Sequence, residues 1–294
     1  MKRVLVAALL LAGCAPAFQV QRPEFNSKFT RKFAEVDGFR LHYDVVGKGS
    51  PVLFLHGFSS FLNAWDDTAK ALADGHRSIL VDLPGHGFSD RTDVDYSPNG
   101  VAKRVLGLLD ALGEKRVSIV AHSWGASVAL ALALLAPDRV DKLVIVDGWM
   151  YSEQANLFMR WSQVPAVGEG LWNWFYDQNI ELRYAMAFHE PEKWIDEAVV
   201  DGMKRIMALP GSKAAALAVI RSLDQLPDQE TRYGEVRAPS LLIWCREDRV
   251  SDVGAGETLM NQIPASRLEV IPNCGHMPMI EQATRFQALL RGFL

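Results

Sequence analysis

Ser123, Asp248 and His276 are the side chains of this 294-residue sequence whose types and surroundings could make a nucleophile. A serine hydroxyl is weak at neutral pH. It attacks a carbonyl carbon when an imidazole takes its proton and a carboxylate holds that imidazole in one tautomer. Ser123 stands in Ala121-His122-Ser123-Trp124-Gly125-Ala126, after the apolar run 117–120 and before another that continues to Leu135. A strand, a small residue, a Ser, a Gly two positions later and a helix describe a sharp turn that lifts the hydroxyl off a sheet. Ala121 occupies the place where the usual pattern has its first Gly, and small residues let strand and helix approach closely. The plain alternative, a Ser that only caps a helix, leaves the downstream residues unexplained. Those residues are Asp248, in Cys245-Arg246-Glu247-Asp248-Arg249-Val250, and His276, in Asn273-Cys274-Gly275-His276-Met277-Pro278.

These side chains must be carried by elements that bring them to one place. Apolar, β-branched runs predict strands at 52–55, 78–81, 117–120, 143–146, 241–244 and 268–271. Helical patterns lie between them at 64–73, 98–112, 124–135, 256–262 and 278–290. Near-continuous apolar strands alternating with helices predict an α/β fold, a mostly parallel twisted sheet flanked by helices. The rhythm breaks between Gly148 and Gly234, which holds no strong strand but twelve of the 28 aromatic residues. This stretch reads as a helical cap over the carboxyl edge of the sheet, where open α/β sheets place ligands. Most of its aromatics are expected to form its own core.

The ordered set of motifs resembles the α/β-hydrolase family, in the group with a cap inserted after the sixth strand, over residues 33–294. The resemblance implies a core at 33–147 and 235–294, a cap at 148–234, and Ser123 as nucleophile, Asp248 as orienting acid and His276 as general base. It also implies an oxyanion hole from the backbone N–H groups of Phe58, which follows His56-Gly57, and Trp124. Asp82-Leu83-Pro84-Gly85-His86-Gly87-Phe88-Ser89 matches the family's turn after the next strand. Asp147 is the rival for the acid position, since some members place the acid after the preceding strand. Ser at 123 argues against the branches with a carboxylate nucleophile. The implied activity is hydrolysis of carboxylic esters with an apolar or aromatic part, through an acyl-enzyme. Alternatives on the same scaffold are a carbon–carbon bond hydrolase or lactonase, and an amidase or aminopeptidase using Glu181, Glu190 or Glu192 to grip an amine. A non-catalytic envelope binding protein is the alternative outside enzymes.

His56, His86 and His122 lie in motif turns and are read as structural, and Glu247 as solvated. No metal-ligand spacing appears, so neither metal nor cofactor is expected. With 31 basic and 35 acidic residues spread along the chain, there is no cationic stripe for nucleic acid. Lys2 and Arg3 precede an apolar run, 4–12, too short to span a bilayer, which takes roughly 20 residues. Its ending, Leu11-Ala12-Gly13-Cys14, resembles a bacterial lipoprotein signal. That implies a signal at 1–13, lipid attachment at Cys14, a tether over 14–32, and a membrane partner in the cell envelope, the outer membrane facing the periplasm in a double-membrane cell. The sequence leaves open whether Cys245 and Cys274 form a disulfide: neighbouring strands would allow it, but the distances and side-chain directions that decide it are not visible in sequence. Oligomeric state is not readable.

Overall fold

The computed structural model describes residues 16–18, 32–178 and 180–294. Lipid attachment at Cys14 and the signal at 1–13 therefore lie outside the described residues. Eight strands form one sheet in the order β1-β2-β4-β3-β5-β6-β7-β8. They are β1 (Lys32–Val36), β2 (Phe39–Gly47), β3 (Ser50–Leu55), β4 (His76–Val81), β5 (Val117–His122), β6 (Val140–Val146), β7 (Ser240–Cys245) and β8 (Ser266–Ile271). From β4 through β3 and β5 to β8 all pairs are parallel. The six runs that read as strands are β3 to β8, and β5 and β7 are buried at every residue, as expected of strands covered on both faces.

The first two strands are an addition to the sequence reading. β1 and β2 form an antiparallel hairpin, and β2 also pairs antiparallel with β4. Their charged and half-buried residues lack the apolar density of the central strands. The signal lies in the turn, where Asp37 and Gly38 both have positive φ, 50° and 76°, as a two-residue hairpin loop requires.

Helices flank the sheet: α1 (Asp66–Leu72), α2 (Pro98–Ala111) and α3 (Gly125–Leu135) in the first part of the chain. After β7 come α10 (Val253–Gln262), α11 (Pro278–Glu281) and α12 (Ala283–Phe293). The single helix expected over 278–290 is two, because Gln282 leaves helical geometry, with φ −130° and ψ 41°. Between β6 and β7 stand α4 (Leu157–Ser162), α5 (Val167–Phe175), α6 (Ile180–Ala185), α7 (Glu197–Met207), α8 (Ser212–Arg221) and α9 (Leu226–Glu230). These are short, so tertiary packing rather than helix propensity holds them.

Cys245 ends β7 and Cys274 follows β8. Because those strands are neighbours, the two are joined as a disulfide, with Cα atoms 5.0 Å apart. The bridge ties the loop carrying Asp248 to the loop carrying His276.

Candidate active site

The turn after β5 holds Ser123 in the left-handed region, φ 52°. Its strain is held by backbone bonds on both sides: Ser123 N–H donates to Val146 O at 3.0 Å, and Ser123 O accepts from the amides of Ala126 and Trp149, each at 2.9 Å. Gly125 opens α3 against the end of β3. A Cβ there would lie 2.7 Å from His56 O and 2.8 Å from Leu55 O, so any other residue would push the helix off the sheet. Gly57 is constrained likewise: its Cβ would meet the Cβ of Ser123 at 2.8 Å. The loop with Phe58 is thereby pressed against the serine turn. The amides of Phe58 and Trp124 are not committed to protein acceptors among the described residues.

His276 leaves the carboxyl end of β8, and its Nδ1 bonds to Oδ2 of Asp248 at 2.6 Å. The other oxygen of Asp248 accepts from the amides of Val250 and Ser251, at 2.7 and 3.1 Å. A carboxylate fixed by two backbone donors fixes the imidazole in turn, with Nδ1 occupied and Nε2 left for chemistry. The backbone of His276 is also held, donating to Ala187 O at 2.6 Å. Ser123 and His276 line one cavity of about 310 Å³ with Phe58 and Trp124. Asp248 lies behind His276. All five residues implied by the family resemblance thus meet at one rim of the sheet. Trp149, Phe158, Trp172 and Tyr184, from the segment between β6 and β7, line the same cavity.

Three contributions could not be read from the sequence. The Nε2–H of His122 donates to the carbonyl of His276 at 2.7 Å, and the two rings lie 4.6 Å apart. Burial, then the neighbouring His276, pushes His122 well below the usual histidine range, so it is a neutral single donor. Glu281 accepts from the amides of Gly275 and His189, both at 2.8 Å, joining the base loop to the helical segment. Asp147, the rival acid, is fully buried and accepts from Cys245 N–H at 2.7 Å. Oxygens of Asp147 and Asp248 and a nitrogen of His276 all lie within 4.8 Å of one another. Burial and then the Asp248 charge hold the Asp147 carboxyl well above the usual carboxylate range. Asp147 is thereby favoured in its protonated form beside Asp248, and Asp248 makes the bond to the imidazole.

Two expectations are corrected. Glu247 is not simply solvated: its carboxylate accepts from Cys274 N–H at 3.1 Å, bracing the disulfide. Glu181, Glu190 and Glu192 do not line the cavity, and Glu190 pairs with Lys193, so they form no amine-gripping subsite there. His56 and His86 are structural as read. His56 Nε2 accepts from Leu83 N–H at 3.0 Å, and burial lowers His86 to about 3.

This fold and this rim define a class, and comparison with known proteins gives the same one. Residues 50–283 match the family model of the alpha/beta hydrolase fold, and the chain belongs to that family as a hydrolase. It is 32% identical over 284 residues to the 2-hydroxy-6-oxononadienedioate/2-hydroxy-6-oxononatrienedioate hydrolase 2 of Pseudomonas putida, covering 92% of this chain and 96% of that one. It is 29% identical over 288 residues to the 2-hydroxy-6-oxo-6-phenylhexa-2,4-dienoate hydrolase of Burkholderia cepacia, covering 92% and 98%. Among solved structures it resembles Est816, described as an N-acyl homoserine lactone degrading enzyme. There the TM-score is 0.76 and the identity 26%, over 90% of this chain and 100% of the other.

Proposed function

We propose that this hydrolase cleaves the carbon–carbon bond beside a ketone in a small, largely apolar substrate, with Ser123, His276 and Asp248 as its triad. The compounds in the names of the first two relatives carry a 6-oxo group and no ester, so their hydrolysis must break a carbon–carbon bond next to that ketone. The ester reading from the sequence gives way to this one, and an ester or lactone remains the second reading because the lactone-degrading Est816 shares the architecture. The observation that carries the triad is the His276–Asp248 bond of 2.6 Å behind a cavity that Ser123 also lines.

His276 Nε2 takes the Ser123 proton as Oγ bonds to the carbonyl carbon. The oxyanion faces the amides of Phe58 and Trp124, where losing one donor commonly costs about 3 to 4 kcal/mol. The tetrahedral intermediate collapses, the carbon–carbon bond breaks with its electron pair on the leaving carbon, and that carbon receives the proton from His276. A water deprotonated by His276 then releases the acyl group from Ser123.

The cavity wall selects among the named substrates. Among the described residues, Arg183 is the one permanently charged side chain that lines it, and burial pushes His122 well below the usual histidine range. One cation among aromatic and methionine side chains suits one carboxylate and an apolar tail, as in the phenyl-dienoate, better than a dioate. The decisive panel is a phenyl-dienoate, a dienedioate, an acyl lactone and a simple ester, each with wild type and Ser123→Ala. The reading expects the phenyl-dienoate to give the highest kcat/KM and all turnover to vanish in the variant. Fastest turnover of the simple ester would overturn the carbon–carbon reading, and turnover surviving in Ser123→Ala would overturn the triad.

We also infer that Cys14 carries a lipid that holds the chain in the cell envelope, supported by Lys2, Arg3, the apolar run 4–12 and Leu11-Ala12-Gly13-Cys14. Metabolic labelling with a fatty acid should mark the chain and fail with Cys14→Ala. Equal label in both would contradict it.

A further inference from the structure

Three of the helices between β6 and β7, α4 to α6, carry large apolar side chains on both sides. Phe158 of α4, Trp172 of α5 and Ile180 and Tyr184 of α6 line the cavity. Helix geometry puts residues two apart on opposite sides. Trp174 and Leu182 accordingly point away from the cavity, exposed by 73% and 64%. Leu157 and Trp161, one turn apart on α4, are exposed by 69% and 52%. A soluble helix normally turns polar residues outward, and a broad exposed apolar face marks an interaction site.

Pro16 and Ala17 lie in a groove beside Asp177 and Ile180, between the end of α5 and the start of α6. Phe18 stacks on Tyr96 with ring centroids 6.0 Å apart. Cys14 is two residues before Pro16, a reach of roughly 7 Å at most. The membrane-seeking group, the apolar run 4–12 in the uncleaved chain or the lipid on Cys14 once the signal at 1–13 is removed, is therefore joined to the chain just ahead of this groove between α5 and α6. Residues 148–234 hold twelve acidic and eight basic residues, so attraction to anionic lipid is not the driving force. Trp and Leu on short helices instead suit shallow insertion at the headgroup boundary. No single helix among the described residues is long and apolar enough to cross a bilayer.

We propose that the outward apolar face of α4, α5 and α6 docks on a phospholipid surface, so that apolar substrates enter the cavity from the lipid. Phe158 and Met186 belong to both places, being exposed and lining the cavity. The docking rests on the tethered N-terminus and not on which bond Ser123 attacks, so either can fail alone.

The test places the full chain on phosphatidylcholine vesicles containing lipid brominated high on its acyl chains and reads tryptophan emission. Docking predicts quenching of roughly a quarter of the emission, the share of two in eight tryptophans. Trp161→Phe/Trp174→Phe should abolish that quenching while the chain stays vesicle-bound. A second variant, Phe175→Ser/Leu182→Ser, should lift the face and reduce the quenching at least several-fold, with an unchanged thermal melt. Unquenched parent protein would overturn the proposal, as would quenching that survives in the first variant. Should a second copy or the chain's own N-terminal run occupy the face, the parent emission stays unquenched, and sedimentation without vesicles separates those two occupants.

Discussion

The carboxyl edge of the sheet and the helical segment above it treat their exposed chemistry in opposite ways. At the sheet edge the buried carboxylates are answered by backbone donors. Asp248 takes the amides of Val250 and Ser251, and Asp82 takes those of Leu62 and Phe88 together with His42 Nδ1 at 2.5 Å. Polar groups satisfied in this way are costly to disturb and hold their geometry. In the segment between β6 and β7, α4 to α6 instead expose large apolar side chains, Leu157, Trp161, Trp174 and Leu182, among charged ones. One region is built to keep three side chains in register, the other to present hydrocarbon on two sides.

The sharpest way to break this contrast is at the two carboxyls. Asp248→Asn should lower kcat on the order of 10⁴-fold, because the amide presents the wrong tautomer to His276. Asp147→Asn should stay within about tenfold, since an amide still accepts from Cys245 N–H and donates toward Asp248. Equal losses in steady-state kinetics would mean that the proton assigned to Asp147 is misplaced. Next in size is the disulfide. Cys245→Ala/Cys274→Ala releases a loop closed across 29 residues, and should cost about 3 to 4 kcal/mol in urea unfolding. No change in midpoint would show that the sheet alone fixes the two loops.

Acid comes third. Burial pushes His56 and His122 down and His86 to about 3, against an ordinary 6.5. Between those values the unfolded chain binds more protons than the folded one, so stability is complete above pH 6.5 and falls as pH drops toward 3. The slope should be on the order of 1 kcal/mol per pH unit per histidine within that window, and His86→Gln should flatten a pH series of urea midpoints. The smallest effect is on the other region: Trp174→Ser should change unfolding free energy by no more than about 0.5 kcal/mol. A large loss would mean that Trp174 is part of a packed core.

This contrast also decides what the sequence could reveal. β5 and β7 are buried at every position because both faces are covered, and Ser123 and Asp248 follow them, whereas His276 follows the edge strand β8, whose apolar run 268–271 is interrupted by Glu269. The β1–β2 hairpin went unread because Lys32, Arg40 and Asp44 interrupt the apolar signal, though Asp37-Gly38 marked the turn. His122 and Asp147 act through contacts across the sheet edge, to His276 and Cys245, that no local pattern encodes. The aromatics between β6 and β7 were expected to be mostly core. Seven of the twelve are buried or half-buried, and Phe158, Trp161, Trp174, Phe175 and Trp194 are exposed, because helices of five to eleven residues leave little interior to fill.

The central claim is that Ser123 is the nucleophile activated by His276. Reaction with a fluorophosphonate followed by intact-mass and peptide mapping tests it most directly. The account predicts one adduct on Ser123, absent in Ser123→Ala and formed at least a hundredfold more slowly in His276→Ala, on the order of what general base catalysis contributes. An adduct on another residue, or labelling of Ser123 at an unchanged rate without His276, would contradict it.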